Sequence, residues 1–267
     1  MRQDISDAED GPADQKRSNT IQSISIAVGF LQILAAAETP LPLGELARRS
    51  GTGRSTAHRY MQSLVKEGMV RQDPASSQYD LGGTALSIGI AALRRVDEVE
   101  MAGAQMKLLA ETHAMSSGVA IWTERGPTLV RWYRSAQFAI TAVGLGDVLP
   151  IDNSACGLVF QAFLPANKIA IARQLQPDHY RGAPPRKGEI ERIRHEAWAE
   201  LTSHLLSNVT GQAAPILDAQ GELACVVTTT TDLGKLRSPD DRLALQDMAR
   251  VINRQTGGYS SLAQLSE

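Results

Sequence analysis

The chain has 267 residues, 43% hydrophobic, 21% charged and only 4% aromatic, with two cysteines and a formal net charge of −2. It is long enough for two domains of ordinary size. It contains no apolar run of the roughly 18 residues that would span a bilayer, and two cysteines are too few for a disulfide framework or a four-thiolate metal site. The expectation is a cytoplasmic protein with reduced thiols.

The small net charge hides an uneven distribution. Residues 1–15 carry one basic and five acidic side chains, residues 16–80 eight basic and five acidic, and residues 81–267 eighteen basic and nineteen acidic. The acidic N-terminal stretch lacks the basic-then-apolar order of a signal peptide and reads as a disordered tail over residues 1–18. The basic excess lies in the segment that follows, where a phosphate backbone would be sought first.

Residues 19–83 read as one compact unit. Ser23 or Ser25 can cap a first helix with Ala27, Phe30, Leu31 and Leu34 at helical spacing, ending near Glu38 and Pro40. A short second helix turns Leu43, Leu46 and Ala47 inward and Arg48 and Arg49 outward, and Ser50-Gly-Thr-Gly53 makes the next turn. The third helix, Arg54 to Glu67, places Ala57, Tyr60, Met61, Leu64 and Val65 on a core-facing stripe. Its other face shows Arg54, Ser55, His58, Arg59 and Gln62, with Thr56 beside them. Gly68 stops it, and Met69–Gln72 with Gln78–Leu81 then form a hairpin with a polar tip. Three short helices and a hairpin make a winged helix-turn-helix, whose third helix enters the major groove by its N-terminal end while the wing lies on phosphates. The expected DNA contacts are Arg54, Ser55, Thr56, His58, Arg59 and Gln62 on the helix and Arg71, Ser76, Ser77 and Gln78 on the wing. Arginine forks suit phosphate and guanine, and the short polar side chains suit base edges.

Residues 84–97 fit a linker helix, with Leu86, Ile90 and Leu93 on one stripe. A further helix spans about Val96 to His113, where His113 reads as a cap or surface group because no second metal-type residue lies at helical spacing. Beyond Met115 come short strands: Gly118–Glu124, Thr128–Arg134 and Phe138–Val143. Helices are expected at Asn153–Phe163, Ala166–Gln174 and Lys187–Leu206, strands at Thr210–Leu217 and Leu223–Thr231, and a last helix from a cap at Ser238. This grouped order gives an α+β second domain, residues 98–262, with an antiparallel sheet and flanking helices, followed by a tail over 263–267.

Four fragments in one order carry a specific resemblance: Leu43-Gly-Glu-Leu-Ala-Arg-Arg-Ser-Gly51, Arg54-Ser-Thr-Ala-His-Arg59, Leu64-Val-Lys-Glu-Gly-Met-Val70 and Tyr79-Asp-Leu-Gly82. Together they resemble the DNA-binding domain of IclR-family bacterial transcription regulators. The resemblance implies a sequence-specific regulator of double-stranded operator DNA, acting as a homodimer or dimer of dimers, with the linker helix packed against the partner subunit. It also implies a GAF-like C-terminal domain that holds a small organic effector. Three stretches support that carry-over: Val148–Gly157, Ala213–Asp218 with Gly221, and Thr228–Thr231. On this alignment the effector would meet Phe138, Thr141, Ala155, Cys156, Leu205, Ala213, Pro215, Thr228 and Thr230. Thr228 and Thr230 share one strand face, and backbone amides near Ala155 and Cys156, at a helix start, can meet an anion. Trp122, Trp132 and Tyr133 can stack on an aromatic ligand, although strand aromatics more often fill cores.

Two departures from the family pattern remove charge near the expected cavity. Leu158 follows Gly157 where a lysine is usual, and Glu200-Leu-Thr-Ser-His-Leu-Leu206 replaces a typically acidic loop. Both favour an aromatic or longer-chain carboxylate over a minimal keto acid. No enzyme constellation competes: Ser154 lacks the Gly-x-Ser-x-Gly elbow, Gly144-Leu-Gly146 lacks the third glycine of a dinucleotide loop, and the five histidines have no metal-binding spacing. No catalytic residue, metal or cofactor is therefore expected. The rival reading is a small-molecule enzyme, or a redox sensor built on Cys156, with an incidental helix-turn-helix.

Overall fold

The computed structural model describes residues 21–136, 143–180, 182, 185–186, 188–202, 208–232, 239–259 and 261–262. The expected tails at 1–18 and 263–267, the strand Phe138–Val143 up to residue 142, the cap at Ser238, and Phe138, Thr141 and Leu205 lie outside the described residues. The chain divides into two compact units, Met1–Arg94 and Arg95–Glu267. No helix among the described residues is long and apolar enough to cross a membrane.

The first unit contains α1 (Gln22–Ala35), α2 (Leu43–Ser50), α3 (Arg54–Lys66), the hairpin β1 (Val70–Gln72) and β2 (Tyr79–Leu81), and α4 (Gly83–Leu93). Phe30 and Leu34 of α1, Leu46 and Ala47 of α2, and Ala57, Met61 and Leu64 of α3 meet Val70 and Tyr79 in one core. Neither serine caps α1: Ile21 holds the cap position in extended backbone, and Ser23 and Ser25 lie within the first turns. The helix ends at Ala35, short of Glu38. Val65 is 37% exposed rather than a core residue, because eight steps of about 100° from Ala57 carry it about 80° around the helix. Leu41 pairs with Tyr79 through two backbone hydrogen bonds of 2.9 and 2.8 Å, which ties the wing to the connection before α2. In α4, which ends at Leu93, Leu86 and Ile90 are exposed.

The second unit is built on a five-stranded antiparallel sheet in the order β4-β3-β7-β6-β5. Its strands are β3 (Ser116–Thr123), β4 (Gly126–Tyr133), β5 (Ala199–Thr202), β6 (Val209–Leu217) and β7 (Leu223–Asp232). The helices are α5 (Glu98–Thr112), α6 (Ala155–Phe163), α7 (Ala166–Leu175), α8 (Glu189–Glu196) and α9 (Pro239–Thr256). Strand alternation sorts the two faces. Val119, Ala214, Ile216, Cys225 and Val227 pack on α5 and α9, whereas Ala120, Ala213 and Val226 pack on α6 and Ile193 of α8.

The helix expected over Lys187–Leu206 is corrected to α8 followed by β5. Ala197 adopts a left-handed φ of 50° that ends the helix, and Ala199 and Leu201 then pair with Ala213 and Gly211 of β6. Cross-strand pairing overrides the helical propensity of Trp198-Ala-Glu-Leu-Thr202.

Candidate nucleic-acid interface and ligand cavity

In the first unit, α3 and the wing border one open groove. Arg54, Ser55 and His58 of α3 face Gln72, Ser76, Ser77 and Tyr79 of the wing across it, and Pro42, Leu43 and Gly44 at the start of α2 close its end. Arg59 and Gln62 are exposed further along α3, and Thr56 is half-buried. Gln72 and the start of α2 border the groove without being among the contacts expected from the sequence. Pro40 and Pro42, just before the helix, were the available sign of that start.

Ion pairing distinguishes the arginines of this unit. Arg48 and Arg49 both grip Glu45 at 2.6 Å, and the Arg48 guanidinium, then that of Arg49, holds the Glu45 carboxyl at about 2. Arg71 meets Asp80 across the hairpin at 2.6 Å and pulls its carboxyl below the usual range. Among the described residues, Arg54 and Arg59 take part in no ion pair. Two uncompensated guanidinium groups therefore sit on the exposed side of α3.

Two wing residues serve the turn itself. The Ser76 hydroxyl donates to Asp73 at 2.5 Å, and the Ala75 and Ser76 amides donate to the same carboxylate at 3.2 and 3.1 Å. Ser77 takes a left-handed φ of 57° at the tip. The Ser76 hydroxyl proton is thus already engaged, leaving its amide neighbours and Ser77 to shape the tip.

In the second unit, a cavity lies between the sheet and the start of α6. It holds about 540 Å³ of atom-free space, its open mouth included, and is walled chiefly by apolar side chains. Ala155, Cys156, Thr228 and Thr230 line it, joined by Leu129, Trp132, Val143, Leu149, Asn153, Ser154, Leu201, Val209 and Gly211. Two expected residues do not: Ala213 lies in the core beside α6, and Pro215 borders a separate pocket with Ala249 and Asn253. Of the aromatics, Trp122 packs on Phe160 with ring centroids 5.4 Å apart, and Tyr133 joins the core beneath α5, so Trp132 alone of the three faces the cavity.

The register explains the space. Gly118 of β3 pairs with Trp132 on one side and Thr228 on the other, and Gly211 of β6 pairs with Thr230. A methyl group on Gly118 would lie 2.7 Å from the Trp132 ring, so the missing side chain lets the indole lie across the sheet. Ser154 caps α6 by accepting from the Gly157 amide at 3.0 Å while its hydroxyl donates to Pro150 at 2.6 Å. The amides of Ala155 and Cys156 have no acceptor among the described residues and open the helix toward the cavity.

This chemistry does not suit a thiol nucleophile. Burial pushes the Cys156 thiol up to about 12, a shift the side-chain hydrogen bond with Thr228 only partly offsets. The thiolate is then a negligible species at neutral pH. His113 caps α5, with Nδ1 2.8 Å from the Thr112 hydroxyl. Among the described residues no group of three His, Cys, Asp or Glu side chains could hold a metal ion.

The IclR helix-turn-helix domain model matches residues 23–74. The chain is 27% identical over 256 residues to the glycerol operon regulatory protein of Streptomyces griseus, covering 90% of this chain and 98% of that one. Its fold matches the crystal structure of Pseudomonas aeruginosa HmgR with a TM-score of 0.75 and 29% identity, covering 89% and 98% of the two chains. It also matches an IclR homologue from Microbacterium hydrocarbonoxydans complexed with 4-hydroxybenzoate, with a TM-score of 0.50 and 16% identity, covering 88% and 98%. These relatives are regulators rather than enzymes, they align along nearly the whole chain, and the matched segment contains α3: the chain carries an IclR helix-turn-helix domain and is similar along nearly its whole length to DNA-binding transcriptional regulators.

Proposed function

We propose that this regulator binds operator DNA through α3 and the wing, and that a small organic effector in the sheet cavity modulates that binding. Arg54, Ser55, Thr56, His58, Arg59 and Gln62 approach the major groove, with Arg54 and Arg59 supplying the uncompensated charge. Arg71, Ser77 and Gln78 approach the flanking phosphates. An exposed Arg71–Asp80 pair is worth little in water, so a phosphate can replace Asp80 at small cost. The domain scheme is a winged unit over 19–83, a linker over 84–97 and an effector unit over 98–262, functioning in the cytoplasm as a homodimer or a dimer of dimers.

The observation that carries the effector reading is the cavity itself: an apolar chamber opening on the free amides of α6, in a unit separate from the DNA-binding one. The 4-hydroxybenzoate complex of the distant homologue supports it. An effector acts only through unequal affinity for two arrangements of the dimer, here two spacings of the winged units set through the linker. Linkage supplies the test. Titrating an aromatic acid into protein with and without operator fragment should change both affinities by the same factor. Equal effector affinity in the presence and absence of DNA would contradict modulation.

A further inference from the structure

Among the described residues, two buried side-chain polar atoms of the second unit have no hydrogen-bond partner: the indole Nε1 of Trp132 and the hydroxyl of Thr230. Both belong to side chains that line the same cavity. Native proteins rarely leave buried donors unpaired, and each exception calls for a physical reason. An indole N–H can only donate, whereas a threonine hydroxyl can donate or accept. The other polar side chains of the wall are engaged: Ser154 with Pro150 and Gly157, Thr228 with the Gln212 carbonyl at 2.8 Å, and Asn153 through its amide nitrogen, which donates to the Tyr180 carbonyl at 3.5 Å. No lysine or arginine lines the cavity among the described residues.

We propose that Trp132 and Thr230 are the specificity-determining pair of the cavity, selecting a flat, mainly apolar acid that carries a second oxygen, a ring hydroxyl or carbonyl, remote from its carboxylate. The carboxylate meets the Ala155 and Cys156 amides at the start of α6, where a helix end takes an anion without a cation. The apolar body lies over Gly211, where no side chain covers the strand, and against the Trp132 indole. The second oxygen accepts from the indole N–H and pairs with Thr230, so that unsubstituted acids leave both groups unpaired. A site built to hydrogen-bond a ligand oxygen discriminates against the analogue lacking it for this reason.

This proposal rests on the effector reading of the cavity, and the test separates the two. Binding of benzoate and 3-hydroxybenzoate, and of phenylacetate and 4-hydroxyphenylacetate, is measured by calorimetry on the full chain and on three variants. Trp132→Phe keeps the ring and removes the N–H, and Thr230→Val keeps the shape and removes the hydroxyl. Gly211→Val fills the cavity, and its new Cβ meets nothing closer than the Leu201 carbonyl at 4.0 Å.

The full chain should prefer at least one hydroxylated acid over its parent by about threefold to tenfold, the worth of one ordinary hydrogen bond. W132F and T230V should each shrink that ratio toward one with little change for the parent acid, and G211V should abolish binding of both. A ratio that persists in W132F and T230V overturns the selective pair while leaving the cavity reading intact. Binding that survives G211V overturns the cavity reading. Failure of all four acids to bind the full chain overturns the proposed ligand class. Melting without ligand gives an independent readout: T230V removes an unpaired buried hydroxyl and should melt at the same temperature or higher. A clearly lower melting temperature would mean that the hydroxyl is satisfied in the free protein, and would also overturn the proposal.

Discussion

Cys156 shows how burial decides the chemistry of a residue whose position in the chain points the other way. A thiol in the first turn of a helix can have a lowered pKa, but this one is closed in among Ala155, Leu158 and Phe160, and desolvation raises it to about 12. Cys225 is raised to about 12 as well, by burial first and then by Glu98 and Asp97. Both shifts favour the protonated thiol in the fold. Their stabilising contribution is full below the unfolded value of about 9 and is lost as pH rises toward about 12. The expected outcome is that neither thiol reacts with a disulfide reagent at pH 8 until urea unfolds the protein, and that stability measured by urea falls from pH 9 upward. Rapid native-state reaction of either thiol would contradict the burial.

At the scale of elements, the wing depends on one close backbone approach. Gly68 turns with a φ of 69°, and a methyl group on Gly82 would sit 2.2 Å from the Gly68 carbonyl oxygen. Gly82→Ala should therefore destabilise the winged unit by about 2–3 kcal/mol, seen as faster hydrogen exchange in β1, β2 and α3. In the second unit, Asn253 joins α9 to β6. It accepts from the Leu217 amide at 2.9 Å and donates to the Pro215 and Ala249 carbonyls at 3.0 and 2.9 Å. Asn253→Ala leaves buried groups of β6 unpaired and should lower stability by about 3 kcal/mol in chemical denaturation.

The elements that could be read from the chain are those whose signal is local. The apolar spacing of α3, Gly68 after it and the polar hairpin tip mark the winged unit, and the face bearing Arg54 and Arg59 follows directly from the helical period. β5 could not be read in this way, because Ala199–Thr202 becomes a strand only by pairing with residues 210–213, and its composition alone suits a helix. The cavity was partly legible. Period-two alternation puts Thr228 and Thr230 on one face, but Trp132 and Gly211 join them through register across four strands. Pro215 was misplaced for the same reason: its strand was clear, while what packs on it was not.

At the scale of the molecule, charge and cavity are segregated into separate units. The unit holding α3 carries the uncompensated guanidinium groups beside a wide, open groove, and the other unit holds an apolar chamber with no lysine or arginine among its described lining residues. Such a division suits a regulator in which one ligand binding changes the affinity for another. It also makes the arginines of the first unit unequal, since Arg48 and Arg49 already share Glu45 whereas Arg54 and Arg59 have no acidic partner among the described residues.

The most direct measurement is fluorescence anisotropy of an operator fragment, titrated over a range of salt concentrations, with R54A/R59A compared against R48A/R49A. Loss of the α3 pair should weaken binding at least tenfold, about 1.4 kcal/mol, and flatten the salt dependence by about one unit of log–log slope for each phosphate contact removed. The α2 pair should change both far less. Operator binding by R54A/R59A with unaltered affinity and salt slope would contradict the assignment of α3 as the helix that reads DNA.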